Sequence, residues 1–126
     1  MRVVALRVHG DRRHATVYLP ESTSLTTRAQ LLVNARIALL ASYPLDHRSL
    51  QLKGTVKRVG LAEPSALPTI EAYLETFASV LEVVGMPPEL VRMVSHWPAF
   101  AVELEIEELF VQTPGPGAGN RLAGAL

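Results

Sequence analysis

Apolar and polar positions alternate along much of this chain. Arg2–His9 (RVVALRVH) sets Val4, Leu6 and Val8 against Val3, Ala5 and Arg7, and His14–Leu19 repeats the pattern before Pro20. A strand points successive side chains to opposite faces. The two runs therefore predict strands joined as a hairpin through Gly10-Asp11-Arg12-Arg13. The period changes over Glu21–Asn34. Ser22, Thr23 and Ser24 offer cap oxygens, and Leu25, Ala29 and Leu32 recur at helical spacing, which predicts a short capped helix to about Asn34. Arg36–Tyr43 (RIALLASY) is almost continuously apolar, the pattern of a strand buried on both faces.

The longest alternation follows a turn at Pro44–Asp46. Arg48, Leu50, Leu52, Gly54, Val56 and Arg58 form one face of a strand running to Gly60, and His47, Ser49, Gln51, Lys53, Thr55, Lys57 and Val59 form the other. The polar face reads either as a solvated surface or as a wall against a bound anion or polar ligand. Gly54 in mid-strand predicts a bulge or a close backbone approach. Gly60–Pro68 reads as a loop. Ile70, Tyr73, Leu74, Phe77, Leu81 and Val84 make a helical stripe over Thr69–Val84, closed by Gly85, and Pro88 opens a short helix to about Ser95. Phe100–Phe110 is a last strand, with Phe100, Val102, Leu104 and Ile106 opposite Glu103, Glu105 and Glu107. Pro114–Leu126 (PGPGAGNRLAGAL) reads as an irregular tail after a single domain of residues 1–113.

Length and composition bound the rest. The chain has 126 residues, one domain's worth, and its 48% apolar content is high for a small monomer, which suggests burial in an oligomer. With no cysteine there are no disulfides or thiolate metal sites. No apolar run reaches membrane-spanning length, and the strand-like N-terminus predicts no signal peptide and a cytoplasmic protein. Residues 1–60 carry ten Lys/Arg against three Asp/Glu, a net +7; residues 61–126 carry two against nine, a net −7. Either the first half binds an anion, or the halves face each other within the fold or across a dimer. The evenly spaced glutamates suit a solvated face opposite the basic strand better than acid/base chemistry. The four histidines lack metal spacing, no nucleophile–base motif is present, and the basic half lacks the interleaved aromatics of a single-strand nucleic-acid binder. Any enzymatic chemistry would then rest on a cofactor.

The order β-β-α-β-β-α-α-β, with DHRSLQLKGTVKRV and the late LFVQTPGPGAG, resembles the pyridoxamine 5′-phosphate oxidase-like family of FMN-binding split β-barrels. The resemblance spans most of residues 2–119. It implies an α+β split barrel lacking the family's usual first strand, so that an open edge must be covered by a partner or the tail. It also implies a homodimer with FMN between the subunits. Arg2-Val3-Val4-Ala5-Leu6-Arg7 is similar to the family's Arg-x-Val-x-Leu-Lys strand, whose two cations help hold the FMN phosphate. Arg28, after Ser24, Thr26 and Thr27, resembles the phosphate loop, which places Thr27 and Arg28 on the phosphate. Residues 46–59 resemble the Arg-Gln-Val-Arg-x-x-Gly strand: Arg48 matches its first arginine, Ser49 replaces the glutamine, Gln51 replaces the second arginine and Gly54 matches the glycine. The resemblance sets Ser49 and Gln51 against the flavin ring, with His47 beside Arg48 at the strand's entrance. Two functions follow as expectations: an FMN-dependent oxidoreductase acting on a small molecule, or a dimeric flavin- or anion-binding module without turnover.

Overall fold

A computed structural model describes residues 3–42 and 48–111 and the backbone of 121–124. It is an α+β fold. Strands β1 (Ala5–Val8), β2 (His14–Pro20), β3 (Arg36–Ser42), β4 (Ser49–Leu61), β5 (Ala99–Val111) and β6 (Arg121–Gly124) form one antiparallel sheet in the order β1-β2-β5-β4-β3, with β6 paired to β5. Helices α1 (Leu25–Val33), α2 (Leu67–Val83) and α3 (Glu89–Arg92) pack around it, and no helix among the described residues is long and apolar enough to cross a membrane.

The sheet curls into a half-barrel. Leu6 of β1 and Leu39 of β3 come from its two edges, yet both pack on the same inner core of Ala15, Val17, Leu19, Leu52, Val102, Leu104 and Ile106. A second core lies on the outer face, where Val4, Ala5, Tyr18 and Ala99 meet Ala62 and Ile70 at the start of α2. β5 is the central strand. Its first half pairs with β2, its second half with β6, and nearly its whole length with β4.

The β1–β2 hairpin forms as predicted. Its turn carries Arg12 in the left-handed region at φ 59°, and the Asp11 carboxylate accepts hydrogen bonds from the backbone N–H groups of Arg13 and His14. The Arg13 backbone bond first, the bond to the His14 ring next, and the His14 backbone bond after it lower the Asp11 pKa to about 2. A depressed folded-state pKa gives stability that is present above the unfolded value, near 3.8, and lost as pH falls toward 2. Thermal melts should therefore show a loss between about pH 4 and pH 2 that is smaller in Asp11→Asn; identical acid profiles would show that the turn does not contribute.

Four elements differ from the sequence pattern. β3 is an edge strand, not a strand buried on both faces: Ile37 and Leu39 face the core, and Leu40 is 66% exposed. Residues 121–124 of the expected irregular tail form β6. Unpaired backbone on the second half of β5 accounts for this, since a strand needs few side-chain signals to complete a ladder. α2 starts at Leu67, with Pro64–Ala66 as a 3-10 turn before it, because Pro68 occupies the first helical turn, where its missing N–H costs nothing. Finally, β4 does not keep one parity. Register shifts occur at Lys53/Gly54, where the extra residue is Glu107 of β5, and at Val56/Arg58, where it is Lys57 of β4; the second puts Val59 in the inner core and turns Arg58 outward.

Those shifts bring the basic strand against the acidic one on the outer face. Lys53 pairs in register with Glu108 and Arg58 with Glu103, and Lys57 lies 3.5 Å from Glu105 in a half-exposed ion pair. The Thr55 hydroxyl donates to Glu107. The basic and acidic strands thus lie side by side within the fold, joined by the Lys57–Glu105 pair.

Candidate functional site

Strand register assembles one polar row across the outer face: Arg7 of β1, Thr16 of β2, Glu103 of β5 and Arg58 of β4. The neighbouring row is Ala5, Tyr18, Ala101 and Gly60. Because Ala101 and Gly60 are small, the face is hollow there. The chain leaving β4 roofs the hollow with Ala62, Glu63, Ser65 and Thr69, giving a cavity of about 310 Å³.

The cavity walls are chemically specific. Tyr18 is 7% and Thr16 3% exposed, and the Thr16 hydroxyl is hydrogen-bonded to the His9 ring at 2.8 Å, which fixes it. Arg7 and Arg58 are exposed, and among the described residues neither is in an ion pair; the same holds for Glu63 and Glu103. Two guanidinium groups and four hydroxyls therefore line one small hollow with two carboxylates. Guanidinium groups match oxyanions in planar, two-pronged geometry, so the hollow suits the anionic group of a ligand when both arginines engage it.

The other predicted residues lie in two further places. Thr27 and Arg28 sit on α1. Arg28 Nε donates to Ser24 Oγ at 3.0 Å, a second N–H donates to the Glu21 carbonyl at 3.4 Å, and the guanidinium carbon lies 3.9 Å from the Phe100 ring centroid. Ser24 is fully buried and does not cap α1 with its side chain, contrary to the cap expectation; its hydroxyl holds Arg28 instead. Arg28 thus fastens α1 to β5. By strand alternation Phe100 shares the inner face with Val102, so Arg28 and Arg7 are on opposite faces of the sheet and do not meet within one chain.

Ser49 and Gln51 begin β4. Both alternate with buried Leu52 and so share the outer face with Arg58 beyond the two shifts. Ser49 Oγ is 3.0 Å from Ser42 Oγ, Gln51 aligns with Leu40 and Phe110, and Lys53 Nζ lies 5.1 Å from the Phe110 centroid. Arg48 is exposed just before β4. Arg2 and His47 are outside the described residues. Seven residues separate Gln51 from Arg58, roughly 23 Å along a strand.

Sequence reading missed Arg58, Thr16, Tyr18, Ser65 and Thr69. Strict alternation assigned Arg58 to the apolar face; the shift after Val56 reverses that, and no residue type marks it. Comparisons with protein-family models, with curated proteins and with solved structures find no match for this chain.

Proposed function

We propose that this protein binds FMN as a split-barrel flavoprotein and acts as a flavin-dependent oxidoreductase on a small molecule, with the flavin lying along the outer face and a second subunit closing over it. The supporting observation is that one hollow of the outer face brings Arg7 and Arg58 together with the Thr16, Tyr18, Ser65 and Thr69 hydroxyls. The phosphate belongs in the hollow, where two arginines offset Glu63 and Glu103 and the Tyr18, Ser65 and Thr69 hydroxyls are at hand. Gln51 and Ser49 lie roughly 23 Å and more along β4 from Arg58, beyond the reach of one FMN from its phosphate, so they would not orient the ring of that flavin. When bound, FMN would supply the hydride or electron transfer, and the chain would hold it and shield it from water. Thr27 and Arg28 would serve the fold at α1.

The second reading, a dimeric binder without turnover, draws support from the two glutamates, which weaken the hold on a dianion. A visible spectrum after FMN is added and free flavin removed tests the proposal. A retained, perturbed flavin band that bleaches with a nicotinamide reductant supports the oxidoreductase. A retained band that no reductant bleaches leaves the binder, and a colourless protein overturns both flavin readings.

A further inference from the structure

β3 has the sequence of a strand with neighbours on every side, yet among the described residues it pairs with β4 alone. Between Arg36 and Ser42 it has no charge and no proline, the devices that usually blunt an edge. Ala35 carbonyl accepts from Val56 N–H at 2.7 Å. Alternation from that bond turns the peptide groups of Ile37, Leu39 and Ala41 toward β4 and those of Arg36, Ala38, Leu40 and Ser42 outward. A hollow of about 660 Å³ follows this edge: consecutive residues Ala38–Ser42 border it, with Leu6, Tyr73 and Phe77 among the residues across it. An oily small molecule would leave the outward N–H and C=O groups without partners, at the cost of buried unpaired peptide groups. A strand would satisfy them.

We propose that the occupant is β3 of a second copy, antiparallel, with the two-fold axis at Leu39. In that register Ala38 faces Leu40 of the other copy and Arg36 faces its Ser42. All the outward peptide groups pair, and no arginine meets an arginine. The apolar side chains on both faces then continue across the axis, and the surface is self-complementary as a two-fold interface requires. Leu40 lies in the row of Gln51, so the second copy borders the first half of β4. The inference names the subunit surface for that reading but stands on the edge alone, and its test contains no flavin.

Sedimentation equilibrium of the full chain should show a dimer. Leu40→Pro removes one outward N–H, and Leu40→Lys places a charge on an exposed side chain; each should weaken the dimer at least tenfold while circular dichroism stays unchanged. The chain has no cysteine, and directly opposed residues at the axis are close enough for a disulfide. Leu39→Cys should therefore give a covalent dimer on mild oxidation. A monomeric wild-type protein overturns the proposal. So does a dimer that both Leu40 variants leave intact and Leu39→Cys does not cross-link, because its interface is then elsewhere.

Discussion

Gly54→Ala should destabilise the protein by about 3 kcal/mol, the upper part of the range for forcing extra volume into a packed interior. A Cβ at Gly54 would meet the Glu105 carbonyl oxygen well inside van der Waals contact, with the Glu105 carbonyl carbon and Leu104 Cδ1 each at 3.1 Å. The first of these is backbone of the central strand, so no rotamer change relieves it; β4 must separate from β5 where the register shifts. Against a total stability of roughly 5–15 kcal/mol, such a loss is large and appears as a lower urea midpoint. Gly60→Ala is the control. Its Cβ would meet nothing closer than Arg58 Nε at 3.9 Å, so its midpoint should shift little. Equal midpoints for the two variants would show that the approach at Gly54 is not constraining.

Gly54 was legible in the sequence as a bulge or a close approach, because glycine in mid-strand has few other uses. The structure shows both. The hairpin, α1 and the alternation of β5 were legible too, since each is fixed by local side-chain period. What was not legible depends on partners that only the folded sheet supplies. The apolar run of β3 fits a doubly buried strand, yet its position in the sheet leaves it at an edge. The tail has strand neither in its glycines nor in its prolines, yet β5 gives residues 121–124 a ladder to join. The site suffered most from the shift after Val56. Reversing one strand's parity moved Arg58 from the expected apolar face to the Arg7 hollow, and no single side chain announces that event. Arg28 was readable as a cation near hydroxyls, and it is one; the burial of Ser24 and the approach of Phe100, which turn it into a fastening for α1, are long-range.

That reassignment makes the two cationic places experimentally distinct. Arg7→Ala and Arg58→Ala should each lower FMN affinity at least tenfold, and the double variant about a hundredfold, equivalent to about 2.8 kcal/mol. Both guanidinium groups line the same hollow of about 310 Å³ without an ion-pair partner among the described residues. Both side chains are exposed, so their loss leaves no buried group unpaired and folding should be unaffected. Riboflavin, which lacks the phosphate, separates a grip on that group from a general effect. Its affinity should be the same for wild type and both variants, so that the FMN preference shrinks with each arginine removed. Arg28→Ala should do the opposite, lowering the urea midpoint through loss of the Ser24, Glu21 and Phe100 contacts while leaving the FMN dissociation constant in place. Flavin fluorescence titrations of the five proteins with the two ligands decide the matter. If Arg28→Ala abolishes the FMN preference and the Arg7 and Arg58 variants keep it, the phosphate is held at α1 and the outer hollow serves a different ligand.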